Sequence, residues 1–240
     1  MLDIANQPKI QGHSSSDIDG LSNTTPVGDN QAKNLKGEEP PSAESQAKAA
    51  SYTVLDRQEK PRPYHDLYNG LDAAPRTLVV FIRHFFCGSC KEYVRSLSEV
   101  ITPELLSDLS TPTSVVIVGC GDPGLIEAYA TETDCRFPIY ADPTRKLYDE
   151  LGLLSSLAMS ARPDYIRKGM TQVVVESVWE KLKQIPSGLA LKGGDSRQNG
   201  GEFLYDQESG REEKRANWCH RMSNTRDHTE LAVLIEILKR

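Results

Sequence analysis

Residues 78–94 read L-V-V-F-I-R-H-F-F-C-G-S-C-K-E-Y-V, and this stretch constrains the fold more than any other part of the chain. A short apolar run rich in Val, Ile and Phe suits a strand covered on both faces. After Cys90, the apolar residues Tyr93, Val94, Leu97 and Val100 return at helical spacing. The pattern predicts a buried strand that passes into a helix through Cys87 and Cys90. Cys87 falls at the strand-to-helix turn, where unpaired backbone N–H groups of the first helical turn favour negative charge and so lower a thiol pKa. Cys90 falls one turn into the helix, close enough to close a small disulfide ring. A C-x-x-C at a βα junction is the signature of a dithiol redox site.

The rest of the chain supplies a setting for that junction. Residues 1 to about 50 are rich in Ser, Asn, Gly, Pro and Gln and poor in aromatics, so they read as a disordered tail, with Ser14, Ser15 and Ser16 open to phosphorylation. Order is expected from near Tyr52, with a short strand at Tyr52 to Leu55 and an extended Pro-rich connector at Lys60 to His65. Thr102 caps a short helix opened by Pro103 and running to Leu109. Ser114 to Val118 is a second buried strand, and Pro123 opens the next helix, to about Thr133. F-P-I-Y-A-D-P is a third strand closed by a turn, and Thr144 to Leu151 is a further short helix. This alternation implies a mostly parallel sheet with right-handed crossovers.

Leu154 to Gly194 interrupts the alternation as a helical insertion. Met170, Val174, Val175, Val178, Trp179 and Leu182 recur at three- and four-residue spacing and predict a helix over Thr171 to Gln184. Gly200 to Tyr205 and Asn217 to Met222 then form an antiparallel hairpin. Asp227 caps a closing helix in capping-box fashion with Glu230, and Leu231, Leu234, Ile235 and Leu238 form its buried stripe. The expected domain is therefore residues 51–240, with the insertion at about 154–194.

Charge and cysteine usage narrow the function classes. The net charge is −6 at pH 7, which points away from nucleic acid and from an anionic membrane as the main partner. No apolar stretch is long enough to span a bilayer. The N-terminus lacks the basic patch and apolar core of a signal peptide, so a cytoplasmic address, with nuclear as the other option, is expected. Five cysteines spread over the chain are unlike a secreted disulfide scaffold, and in a reducing compartment a disulfide here is transient and functional.

The motifs F-I-R-H-F-F-C-G-S-C-K-E-Y-V, F-P-I-Y-A-D-P-T-R-K-L-Y-D-E-L-G-L, Q-N-G-G-E-F-L-Y and W-C-H-R-M-S-N-T-R-D-H-T-E together resemble the peroxiredoxin-like AhpC/TSA antioxidant-enzyme family, over Tyr52 to the C-terminus. The resemblance implies a thioredoxin-like α/β fold. Its central mixed sheet combines a parallel βαβ half with an antiparallel hairpin, flanked by helices. It also implies thiol-dependent antioxidant or oxidoreductase activity. Two features depart from relatives in the superfamily. Peroxiredoxins carry P-x-x-x-T-x-x-C, but the Pro and Thr positions here hold Val80 and His84, so the peroxide-activating threonine is absent. Thioredoxins carry a cis-proline before the facing strand, where this chain reads S-R-Q-N-G-G.

Cys87 is the expected attacking thiolate and Cys90 the resolving thiol, acting on a disulfide, a peroxide or a small redox-active molecule. A separate thiol reductant, glutathione or a thioredoxin-type protein, then restores both; no cofactor is required. Arg83 and His84 would face opposite sides of the strand, so only one of them is expected to reach the Cys87 sulfur. Cys120, at the carboxyl end of the second strand, is a third candidate thiol, weighed against a buried structural role. Cys135 and Cys219 read as buried hydrophobes and Lys91 as a solvated charge. A zinc set of Cys87, Cys90, Cys219 and His220 is disfavoured, since adjacent strand residues project to opposite faces. Arg226 is a candidate basic group for orienting substrate, and His220 and Arg221 are weaker candidates for lining the pocket. Two alternatives stand beside the dithiol enzyme: a non-catalytic interaction module using the same fold, and a tailoring enzyme acting on a small organic substrate.

Overall fold

The computed structural model of the chain describes residues 38–71, 73–161, 163–167, 169–184, 188–207 and 213–240. Helix α1 (Ala43–Ala50) precedes strands β1 (Thr53–Leu55) and β2 (Pro61–Pro63) and helix α2 (Asp66–Asn69). Strand β3 (Arg76–Phe81) runs into α3 (Gly88–Val100), followed by α4 (Pro103–Ser107). Strand β4 (Thr113–Gly119) leads through a 3-10 turn at Pro123–Leu125 to α5 (Ile126–Thr133), β5 (Ile139–Ala141) and α6 (Lys146–Glu150). Helix α7 (Met170–Lys183) lies in the insertion, and β6 (Gly201–Asp206), β7 (Arg215–Arg221) and α8 (Leu231–Leu238) close the chain.

The strands form one seven-stranded sheet in the order β2-β1-β5-β4-β3-β6-β7. β3, β4 and β5 are parallel, as two βαβ crossovers require, and β6 and β7 return antiparallel. The expected mixed α/β sheet is thus present. Alternation along the strands divides the core in two. Leu78, Val80, Val115 and Ile117 face α3, α5 and α8, whereas Val79, Phe81, Val116 and Val118 face the residues of α1, α2 and α6. β3 is buried at every position, which explains its near-continuous apolar sequence.

Local signals act where the side chains can reach the backbone. The Thr102 hydroxyl accepts from the Leu105 N–H with Pro103 at the first helical position, and Asp122 caps the turn opened by Pro123. Asp142 closes F-P-I-Y-A-D-P by accepting from the Thr144 hydroxyl and the Leu147 N–H.

Four expectations need correction. The tail boundary near residue 50 is too late, because Ser42 caps α1 and Ala49 packs into the core with Tyr148 and Leu151. The Gln46 carboxamide also pairs with edge strand β7, accepting from the Ala216 N–H and donating to the Ala216 carbonyl. Residues 1–37, including Ser14 to Ser16, lie outside the described residues. Secondly, the capping box at the closing helix does not form. The helix starts only at Leu231, and the Asp227 carboxylate turns back to accept from the Ser223 N–H and hydroxyl. The buried stripe itself holds, with Leu234 and Leu238 fully covered.

Thirdly, α7 forms over nearly the expected span, but among its described side chains Val173 is buried while Val175, Val178 and Trp179 are exposed. Finally, Lys91 is buried: its ammonium pairs with Glu132 on α5 at 2.6 Å and lies over the Tyr129 ring. The spacing of α3 alone cannot reveal a partner that far along the chain.

Candidate active site

Strand β3 ends at Phe81, so Arg83 and His84 sit in the turn that follows rather than on alternating strand faces. The strand end is tied down by the Tyr148 hydroxyl, which lies within hydrogen-bond distance of both the Ile82 and Val118 carbonyls. The aromatic pair that follows needs glycines opposite it. A Cβ on Gly119 or Gly121 would come within 2.7 Å of the Phe85 ring, and one on Gly193 within 2.0 Å of Phe86. The glycines of G-C-G and K-G-G are thereby explained by a turn laid across two loops.

Cys87 is the N-cap residue of α3, with an extended backbone, and its sulfur accepts from the Cys90 N–H at 3.4 Å. The Arg83 guanidinium donates to the same sulfur at 3.3 Å. That guanidinium is itself aimed by two backbone carbonyls of the loop before β6, those of Ser196 and Gln198. Arg83 contacts two further thiols through its backbone: its N–H donates to the Cys90 sulfur at 3.3 Å, and its carbonyl accepts from the Cys120 thiol at 3.0 Å.

These contacts separate the five thiols. The hydrogen bond from the Cys90 thiol, then the charges of His84 and Arg83, outweigh burial and hold the Cys87 thiol well below its ordinary pKa. Burial and the neighbouring Cys87 sulfur push Cys90 well above. Burial raises Cys120 to about 12 and Cys219 to about 11, and it also raises Cys135. Cys87 is the one thiol of the five held towards the thiolate.

The expectation that only one of Arg83 and His84 acts on the sulfur is therefore replaced: Arg83 bonds it directly, and His84 adds its charge from the same turn. Cys120 lies at the carboxyl end of β4 as expected, but as a protonated donor to the Arg83 backbone. Cys219 belongs to the opposite core, where it donates to the Glu39 carbonyl, so it does not converge with Cys87 and Cys90. Arg221 shares that face, bonded to the Leu151 and Glu39 carbonyls, which removes it from the pocket. The His220 ring contacts the Asp227 carbonyl at 2.6 Å, whereas Arg226 does line the opening above Cys87.

That opening is a cavity of about 330 Å³ with Arg83, His84 and Cys87 among its lining residues and apolar walls from Phe86, Leu157, Met159, Val173 and Val178. Helix α7 comes down on the C-G-S-C turn, because a Cβ on Gly88 would lie 2.3 Å from Val173 and 2.8 Å from the Ser177 hydroxyl. The insertion thus forms one wall of the thiol cavity. A larger cleft of about 660 Å³ beside α2 includes no cysteine among its described lining residues. The Ser196 and Gln198 carbonyls that aim Arg83 carry no side-chain signature. The nearest sequence signal is Gly193-Gly194, where Gly194 has a φ of +106° and a Cβ would lie 2.6 Å from the Cys120 sulfur.

The chain is similar to several known proteins. Over 187 residues, 77% of each chain, the sequence is 26% identical to Peroxiredoxin-like 2C of Takifugu rubripes. The human protein of the same name is 27% identical over 194 residues, covering 80% of this chain and 79% of its own. A thioredoxin-like protein of Arabidopsis thaliana, AAED1, named as chloroplastic, is 27% identical over 131 residues, 55% of this chain and 48% of its own. Among solved structures, the peroxidoxin BcpB of Mycobacterium tuberculosis superposes with a TM-score of 0.50 at 9% identity, covering 85% of this chain and 97% of that one, a likeness of fold. The sequence model described as AhpC/TSA antioxidant enzyme matches residues 96–224, more than half of the chain and beginning just after the two cysteines, and the chain belongs to that peroxiredoxin-like family.

Proposed function

We propose that this chain is a thiol-dependent oxidoreductase in which Cys87 attacks and Cys90 resolves. The observation that carries the reading is the Cys87 sulfur, seated at the start of α3 and accepting hydrogen bonds from Arg83 and from the Cys90 N–H. The Cys87 thiolate attacks one sulfur of a disulfide, breaking its S–S bond and releasing a thiolate, or the oxygen of a peroxide, breaking O–O and releasing an alkoxide or hydroxide, to give a mixed disulfide or a sulfenic acid. Cys90 then attacks the Cys87 sulfur, the S–S or S–O bond to the leaving group breaks, and a Cys87–Cys90 disulfide forms. A thiol reductant, either a thioredoxin-type dithiol or two molecules of glutathione, supplies two electrons to restore both thiols and leaves as its own disulfide.

His84 at the position of the missing threonine, together with apolar cavity walls, favours a disulfide or organic substrate over hydrogen peroxide. A binding role is the second reading, supported by Val175, Val178 and Trp179 exposed on α7 beside the thiol opening. Mass-spectrometric mapping after one equivalent of oxidant decides between them. A Cys87–Cys90 disulfide in the wild type, with turnover abolished in Cys87→Ser, is the expected result. Absence of that disulfide, or turnover retained in Cys87→Ser, overturns the dithiol reading.

A further inference from the structure

The cavity over Cys87 combines basic groups with an apolar wall, and the segments that carry the two are tied together. Arg83, His84 and Arg226 are among its described lining residues, and no carboxylate is. The chain as a whole has a net charge of −6, so this gathering of basic groups runs against the average of the sequence. Leu157 and Met159 of the insertion, both well exposed, form an apolar wall with Val178 of α7. The Thr225 N–H donates to the Ala158 carbonyl at 2.8 Å, which fixes the residue before Arg226 to the residue between Leu157 and Met159. The Asn224 carboxamide oxygen accepts from the Arg226 N–H at 3.0 Å and holds that turn. The Ser156 N–H donates to the Arg197 carbonyl at 2.7 Å, which joins the insertion to the loop whose Ser196 carbonyl aims Arg83.

This frame limits what can reach the sulfur. Cys87 is only 4% exposed, so the bond it attacks has to enter the cavity. The volume of about 330 Å³ lies at the small end of the range that small-molecule sites occupy, and suits a compact organic body better than a folded polypeptide. Arg83 is committed to the Cys87 sulfur and to the Ser196 and Gln198 carbonyls. The cation for an incoming anion is therefore Arg226, half-buried at the opening. A guanidinium fork matches the two oxygens of a carboxylate, and shelter from water strengthens such a pair.

We infer that the cavity takes a small organic disulfide bearing a carboxylate, which pairs with Arg226 while the apolar body lies against Leu157, Met159 and Val178. This deepens the dithiol reading above and rests on it. The Cys87 thiolate attacks one sulfur of the substrate, the substrate S–S bond breaks, and one half leaves as a thiolate. Cys90, as its thiolate, attacks the Cys87 sulfur, and the second half leaves as the Cys87–Cys90 disulfide closes. One disulfide and two protein thiols thus become two small thiols and one protein disulfide, the protons of the protein thiols passing through solvent to the products. The thiol reductant described above returns the protein to its starting state. Arg226 touches the substrate in this scheme and exchanges neither proton nor electron with it.

Single-turnover stopped flow of the reduced protein at pH 7 reads the thiolate released from dithiobis(nitrobenzoate), which carries a carboxylate on each ring, and from neutral dithiodipyridine. Each rate is divided by that of free N-acetylcysteine with the same disulfide, which cancels intrinsic reactivity. The normalised rate is expected to favour the anionic disulfide by about 10-fold, the order of a charge-assisted hydrogen bond at a half-buried site, and this preference should vanish in Arg226→Gln. Arg62→Gln removes the same charge beside Ser114 at the start of β4, the end of the strands away from Cys87, and should keep the preference. Salt supplies a test within the wild type. A local cation makes the anionic rate fall between about 0.01 and 1 M salt, whereas the net negative charge alone would make it rise. No anionic preference in the wild type, a preference retained in Arg226→Gln or lost equally in Arg62→Gln, or an anionic rate that rises with salt overturns the inference and leaves the dithiol reading intact. Thiolate release from neither disulfide, or release undiminished in Cys87→Ser, refutes the dithiol reading itself.

Discussion

Arg83→Gln removes a cation hydrogen-bonded to the Cys87 sulfur while leaving an amide to face the Ser196 and Gln198 carbonyls. A unit charge pair at 3.3 Å in an effective dielectric of about 20 is worth about 5 kcal/mol, which sets the ceiling. The net effect is smaller, because the guanidinium charge is spread over three nitrogens and shared with two carbonyls. A hydrogen bond to a charged group contributes about 1.5–3 kcal/mol net. At about 1.36 kcal/mol per pKa unit, the Cys87 pKa in Arg83→Gln should move up by about one to two units. Iodoacetamide alkylation of Cys87, followed against pH by mass spectrometry, reads this directly. Below the wild-type midpoint, the reaction should slow by about 10- to 100-fold. Arg83→Lys keeps the charge but not the planar fork, so its shift should be smaller than that of Arg83→Gln. A midpoint that stays within about 0.3 unit in a folded Arg83→Gln protein refutes the reasoning, since a measured thiolate would then depend on the Cys90 hydrogen bond and His84 alone.

Gly88→Ala should push α7 off the C-G-S-C turn, since the new methyl would lie 2.3 Å from Val173. Overpacking of this kind costs about 1–3 kcal/mol, and Cys87 should be alkylated faster in the variant; unchanged reactivity and stability would show that α7 does not rest there. The depressed Cys87 pKa also has a signature in stability. The folded state releases this proton at a lower pH than the unfolded chain, so the contribution is present above the ordinary thiol value near 9.0 and lost as pH falls through the depressed folded value. Urea midpoints of the reduced protein between pH 5 and 8.5 should therefore climb more steeply with pH in wild type than in Cys87→Ser, and parallel curves would contradict the assignment.

Much of the fold was legible because its signals are local or periodic. The β3 run is buried on both faces and reads as such, Thr102-Pro103 reaches its own helix, and the hairpin pairs antiparallel as expected, with one register shift between Leu204 and Tyr205. The misses share a cause, which is a partner distant in sequence. Helix α1 has a weakly amphipathic sequence and is ordered by Gln46 on β7 and Ala49 against α6, contacts that composition cannot display. Lys91 is buried because Glu132 waits for it on α5. At the site, the pair of thiols and the candidacy of Arg83 were readable. The choice between Arg83 and His84 was not, because it rested on strand alternation and the strand ends two residues before Arg83. Away from the thiols, Glu202 looks like an ordinary strand charge until the register with Val80 places it inside, where His228 meets it.

The Gln46 carboxamide on β7 has a consequence for how this protein behaves in a crowd. An edge strand with open backbone groups recruits further strands, which is the first step towards swapped or fibrillar assemblies. At one margin of this sheet a side chain occupies the Ala216 N–H and carbonyl as a neighbouring strand would, and at the other, Pro61 and Pro63 have no N–H to offer. The segment from residue 38 to 50 is therefore a guard as well as a helix. Clipping the chain just after Ala50 should uncover the Ala216 backbone groups of β7 and produce larger assemblies than the full chain, as read by size-exclusion chromatography.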